Sequence, residues 1–201
     1  MSDRMRLGFL ASHNGSNMQA IIDACRAGRL AASPVVVISN NADSGALQRA
    51  RNEGIPCYHL SGRTHPDPED LDREIVDVLL KHDVNLTLLA GYMKKVGPVT
   101  LATFPGHVLN IHPGLLPDYG GPGMYGRRVH EAVLAAGART TGATVHVVDA
   151  IYDNGPVLAV RETAVQKSDT VETLARRVLA LEHALYTETI SRIICGEIRL
   201  S

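Results

Sequence analysis

The sequence has no excess of basic charge. Its 20 Lys and Arg stand against 21 Asp and Glu, for a formal net charge of -1. Such a balance provides no field to draw the chain onto nucleic acid. The basic pairs Lys94-Lys95 and Arg127-Arg128 suit one anionic ligand each, or a solvated surface. Cysteine is scarce. Cys25, Cys57 and Cys195 are odd in number, far apart and outside any CxxC pair. This argues against a disulfide framework and a zinc site, and it fits a reducing cytoplasm. Cys25 falls in a helical apolar pattern and is expected in the core. No apolar run is long enough to span a membrane. No signal peptide is expected, because Met1-Ser2-Asp3-Arg4 leads straight into a strand-like run. HExxH is lacking, and His107 and His112 have no metal-ligand context, so no metal is expected. No serine or cysteine nucleophile has a neighbouring base, and no internal repeat or low-complexity stretch occurs.

The chain does have the composition of a globular protein: 201 residues, 45% hydrophobic and 20% charged. One domain spanning 1–201 is the expectation. Strand-like and helix-like segments alternate. The runs Arg6 to Ala11, Pro34 to Ile38, Cys57 to Leu60, Leu86 to Ala90 and Val108 to His112 read as strands. Helices are expected after Asn17, from Ser44 to Glu53, around Leu71 to Leu79, and from Val129 to Ala135. Two more strands follow, Ala143 to Val148 and Val157 to Val160. A last helix carries Val171, Leu174, Val178, Leu181 and Leu185 at helical spacing, with Asp169-x-x-Glu172 as its capping box. Pro113 to Gly126 reads as a long loop, with five glycines and three prolines. The pattern defines an α/β fold, a mostly parallel central sheet with helices on both faces. Ligands in such sheets bind outside the carboxyl ends of the strands.

Three loops lie there. Ser12-His13-Asn14-Gly15-Ser16-Asn17 opens a helix, where free backbone N–H groups beside a permissive glycine suit a phosphate. The loop is neither GxGxxG nor a Walker A sequence, so ATP and dinucleotides are not implied. A plain Asn-Gly turn is the alternative. The second loop, Gly91 to Gly97, offers apolar contact through Tyr92, Met93 and Val96 and charge through Lys94 and Lys95. An ordinary surface loop is its alternative.

The third site is Leu109-Asn110-Ile111-His112-Pro113. Residues two apart in a strand share a face, so Asn110 and His112 project together and Ile111 turns away. The amide can donate to a developing oxyanion, and the imidazole can stabilise it or move a proton. Asp153, in the turn Tyr152 to Pro156, is the best partner for His112, with Asp149 as its rival. A carboxylate there favours imidazolium. Turns also favour Asp and Asn for their own sake. Direct acyl transfer without a covalent enzyme intermediate fits this inventory.

These residues resemble the folate-dependent glycinamide ribonucleotide formyltransferase family from Leu7 to about Ile190. The markers are Asn14-Gly15-Ser16-Asn17, Leu89-Ala90-Gly91-Tyr92-Met93, Asn110-Ile111-His112-Pro113-x-Leu115-Leu116-Pro117 and Gly123-Met124-Tyr125-Gly126. They continue with Thr144-Val145-His146, Tyr152-Asp153-x-Gly155-Pro156 and Glu182-His183. The resemblance implies a Rossmann-like formyltransferase fold and formyl transfer from 10-formyltetrahydrofolate to glycinamide ribonucleotide in purine synthesis. It implies that Gly15, Ser16, Asn17 and Glu182 hold the ribonucleotide, and that Met93, Lys94, Lys95, Val96 and Asn110 meet the folate. Asn110, His112 and Asp153 would be catalytic. The partners are then two small molecules, with no nucleic acid, no membrane and no metal; a homodimer is open.

The chain departs from the family's common pattern at Gly114, Pro122, Leu179 and Pro68, where serine, lysine, a polar residue and, in some members, arginine stand. Relatives that hydrolyse the folate or formylate methionyl-tRNA normally carry an extra domain, for which this length leaves no room. Sugar-nucleotide formyltransferases share the centre, but Gly15-Ser16-Asn17 and Glu182-His183 favour the purine enzyme. A non-catalytic sensor on the same fold is the reading of a different class.

Overall fold

The computed structural model describes residues 4–200. Its strands are β1 (Met5–Ala11), β2 (Ala32–Ser39), β3 (Cys57–His59), β4 (Leu86–Leu89), β5 (Val108–His112), β6 (Thr140–Val147) and β7 (Val157–Ala164). Its helices are α1 (Ser16–Arg26), α2 (Gly45–Asn52), α3 (Pro68–Lys81), α4 (Pro98–Thr103), α5 (Arg127–Ala135) and α6 (Val171–Ile194). The strands form one sheet in the order β3-β2-β1-β4-β5-β6-β7. The first five are parallel; β6 runs antiparallel to β5, and β7 to β6. The expected mostly parallel sheet is present.

Alternation along the strands divides the core into two layers. Leu7, Phe9 and Ala11 of β1 pack with Met18, Ile21 and Ile22 of α1 and with Leu174, Val178 and Tyr186 of α6. Leu10 of β1 and Val36 and Ile38 of β2 face the other way, onto Ile75, Val78 and Leu79 of α3. Helices therefore cover both faces. Gly8 marks a close approach of α3 to the sheet: a Cβ there would stand 2.7 Å from Leu79. Cys25 is half-buried and packs against the first layer. Among the described residues no helix is long and apolar enough to cross a membrane.

Two local readings change. The capping box of α6 is Thr170 with Thr173, not Asp169 with Glu172. Asp169 is instead taken by Arg177 at 2.6 Å, and its other oxygen accepts the Gln166 N–H at 2.8 Å. The short α4 was not expected. Its N-cap, Gly97, has no side chain, and Asp72 of α3 supplies the missing acceptor to the Val99 N–H (2.7 Å) and the Thr100 hydroxyl (2.5 Å). A helix of six residues is marginal by itself, and this one is held by a neighbouring element.

Candidate active site

Chain turns after β1, β4 and β5 surround one cavity of about 570 Å³. Asn110, His112 and Asp153 line it, as do Asn17, Glu182, Met93, Lys94, Lys95 and Val96. The catalytic and folate candidates thus meet in one place with Asn17 and Glu182, whereas Gly15 and Ser16 lie outside this lining. Leu179 and Pro122 line it as well. Pro68 opens α3 as its first residue, away from this lining.

The catalytic candidates are set by sheet register. Asn110 stands directly opposite His146 in the β5–β6 pair, and His112 opposite Thr144. The Asn110 amide donates to His146 Nε2 at 3.1 Å, while His146 Nδ1–H donates to the Val147 carbonyl at 2.9 Å. This fixes the His146 tautomer and leaves the second amide hydrogen of Asn110 for a ligand. Thr144 donates to the Gly114 carbonyl at 2.7 Å and accepts the Leu116 N–H at 3.3 Å, anchoring the loop that leaves β5. That loop returns the Tyr119 carbonyl to His112, whose Nε2–H donates to it at 2.7 Å. Gly114 leaves space for this turn, since a Cβ would lie 2.8 Å from Val129 and 3.2 Å from His112 Nε2.

Asp153 reaches this centre from the turn between β6 and β7, in a left-handed conformation (φ 55). Only a surrounding structure that over-determines it keeps a non-glycine residue there. Asp149 provides part of that frame, accepting from the Ile151 N–H (2.8 Å) and the Asn154 amide (2.9 Å). The rivalry between the two aspartates resolves: Asp149 builds the turn and Asp153 faces the histidines. One Asp153 oxygen accepts the Gly121 N–H at 2.9 Å and lies 3.6 Å from His112 Nδ1. The other lies 3.6 Å from His146 Nε2.

The electrostatics correct one expectation. Burial pulls the His112 pKa below the ordinary histidine value and outweighs Asp153 and the Tyr119 carbonyl, which raise it; His146 lowers it further. With no ligand bound, the ring is therefore neutral at pH 7, although a carboxylate stands beside it. For Asp153 burial acts to raise the pKa, but His146, His112 and the Gly121 N–H together win and hold it below the usual range. His130 is a further buried imidazole on the cavity wall, with Nδ1 unpartnered and its pKa lowered by burial and by His112.

The other end of the lining joins α1 to α6. Gly15 caps α1 at φ 71, with no side-chain cap. A Cβ on it would meet Ala46 at 2.8 Å, so α2 presses directly on the loop. The Asn17 amide donates to Glu182 at 2.6 Å, across 165 positions of sequence. Glu182 is buried, and desolvation pushes its pKa up to about 7 against that hydrogen bond. Asn17 Oδ1 is buried without a partner. Such a pair is a polar clamp waiting for hydroxyl or N–H groups. His146 and Tyr119 were missed from sequence. The signal for His146 was its strand register against Asn110, which a single sequence does not print.

The fold and this centre are those of an α/β family of transferases. The formyl transferase family model matches residues 5–190, and the chain belongs to that family. Among the proteins it is similar to are phosphoribosylglycinamide formyltransferases. The chloroplastic one of Vigna unguiculata is 42% identical over 96% of this chain and 62% of its own length. The Escherichia coli one is 35% identical over 98% of this chain and 90% of its own. The chain thus spans under two thirds of the plant relative and most of the bacterial one. Among solved structures, glycinamide ribonucleotide transformylase 1 from Symbiobacterium toebii superposes with a TM-score of 0.93 at 38% identity, covering 100% of this chain and 92% of that one.

Proposed function

We propose that this chain transfers the formyl group of 10-formyltetrahydrofolate to the amine of glycinamide ribonucleotide, a step of purine synthesis in the cytoplasm. The observation that carries the reading is the convergence of Asn110, His112 and Asp153 on the cavity that also holds Asn17, Glu182 and the Met93 to Val96 loop. The family membership and the relatives' names support formyl transfer to that acceptor. The Gly15-Ser16-Asn17 backbone takes the phosphate at the start of α1, and Glu182 takes the ribose hydroxyls. Met93 to Val96 receive the pterin, with Lys94 and Lys95 on the polar side of the folate.

The ribonucleotide amine attacks the formyl carbon, and the carbonyl oxygen becomes an oxyanion. The free hydrogen of the Asn110 amide donates to it. The attacking nitrogen, now positive, must lose a proton, and the folate nitrogen must gain one before its bond to carbon breaks. His112 enters neutral, with Nδ1 turned to Asp153. A proton taken there gives an imidazolium flanked by the Tyr119 carbonyl and the Asp153 carboxylate, and its charge stabilises the nearby oxyanion. The proton then passes to the departing folate nitrogen. The products are the formylated amine and tetrahydrofolate.

The test mixes purified protein with both ligands and follows folate absorbance. Turnover that requires the ribonucleotide is expected. Turnover with water alone would make the chain a folate hydrolase, and binding without either reaction would make it a sensor.

A further inference from the structure

Two of the loops around the cavity share one buried side chain. Ser12 is buried, follows β1 directly and is the residue from which the phosphate loop departs. Its backbone N–H donates to the Gly91 carbonyl at 3.0 Å. Its hydroxyl donates to Asn40 Oδ1 at 2.5 Å and accepts the Met93 N–H at 2.7 Å. The hydroxyl has one hydrogen, and Asn40 takes it, so the oxygen's lone pair is aimed at Met93. Met93 is the first of the residues in the second loop assigned to the folate. On its other side the phosphate loop is held by α2: the Ala46 N–H donates to the His13 carbonyl at 3.0 Å, and Arg49 donates to Asn14 Oδ1 at 3.1 Å. Both grips fall on residues 12–14, immediately before the short piece Gly15 to Asn17 that would contact phosphate.

We propose that Ser12 is a positioning residue that couples the two ligand sites, so that ribonucleotide in the phosphate loop tightens folate binding, and the reverse. The inference rests on the function proposed above. The physical reason is shared ordering. A ligand that fixes residues 13–17 also fixes Ser12, and through one short hydrogen bond it fixes the Met93 backbone. The second ligand then meets a loop already ordered. Coupling between binding sites is reciprocal, and a factor of about 5 or more is typical.

The experiment first records wild-type turnover with both substrates, then titrates tetrahydrofolate calorimetrically with and without saturating glycinamide ribonucleotide. Wild-type protein should bind the folate about 5-fold or more tightly when the ribonucleotide is present. Ser12→Ala should reduce the factor to below about 2, leave each ligand able to bind alone, and raise the folate KM with little change in kcat. Ser12→Thr, which keeps both hydrogen bonds, should restore it. If Ser12→Ala does not fold, Asn40→Ala, which frees the hydroxyl to rotate away, should show the same loss. Independent binding in the wild type, or undiminished coupling in the folded variant, overturns the proposal. Absence of wild-type turnover would instead overturn the function on which it rests.

Discussion

His112 and Asp153 face each other across 3.6 Å with the imidazole neutral and the carboxyl ionised. A carboxylate at hydrogen-bond distance would ordinarily make the ring an imidazolium. Here the extra separation and the burial of the ring keep the proton off until the reaction supplies one. The site is thus set to accept a proton during attack rather than to hold one beforehand.

That proton state has a consequence for stability. The folded pKa values of His112 and His130 lie below the ordinary 6.5. The unfolded chain therefore binds more protons as pH falls, and stability is lost as pH drops through 6.5. In a Glu182→Gln background, which removes the buried carboxyl that titrates in the opposite sense, Tm measured from pH 7.5 to 5 should fall, and adding His130→Gln should flatten the fall. A Tm that rises on acidification in that background would contradict the assigned direction.

Glu182 acts in the opposite sense. Its folded pKa of about 7 lies above the ordinary 4.5. The contribution is complete below pH 4.5 and is lost as pH rises through 7. Glu182→Gln keeps an acceptor for Asn17 and removes the buried charge. It should raise stability at pH 8, by up to about 3 kcal/mol, while raising the KM for ribonucleotide. Chemical denaturation at pH 8 and at pH 5 checks this; a variant less stable at pH 8 would rule it out.

The phosphate end invites a gain of function. Leu179 lines the cavity with Asn17 and Glu182 but offers no donor. Leu179→Lys should lower the ribonucleotide KM by about 10-fold if the phosphate otherwise relies on backbone N–H groups. Steady-state kinetics with varied ribonucleotide decide it, and an unchanged KM would mean that another side chain already serves.

The oxyanion donor is tested by Asn110→Ala. Loss of one such donor lowers kcat by about 100- to 1,000-fold. His146 should be nearly as sensitive, because it receives the other hydrogen of the same amide. His146→Leu is expected to lower kcat more than it raises either KM. Kinetics of the two variants and of the double variant would show non-additive losses. Fully additive losses would separate His146 from Asn110.

Parts of this were legible in the sequence for physical reasons. Strand periodicity alone placed Asn110 and His112 on one side of β5, and strand-end position marked the three loops. Helical spacing found α6, but its cap slipped by one residue because the cap was chosen by hydrogen bonds that Arg177 diverts from Asp169. Asn17 and Glu182 were each named through family resemblance, but their hydrogen bond was not; nothing local links residues 165 apart. His146 and the Tyr119 carbonyl depend on antiparallel register and on the path of a loop, and α4 depends on an aspartate from α3. Each of these is a tertiary decision without a local signature.

The most direct measurement is on Asp153→Asn, with kcat and the dissociation constant of glycinamide ribonucleotide determined on the same preparation. Asparagine keeps the size and can still accept the Gly121 N–H, but it removes the charge that would pair with a protonated His112. The account predicts a kcat lower by about 100-fold or more, with the dissociation constant changed by less than about 3-fold. Near-normal turnover in that variant would contradict it.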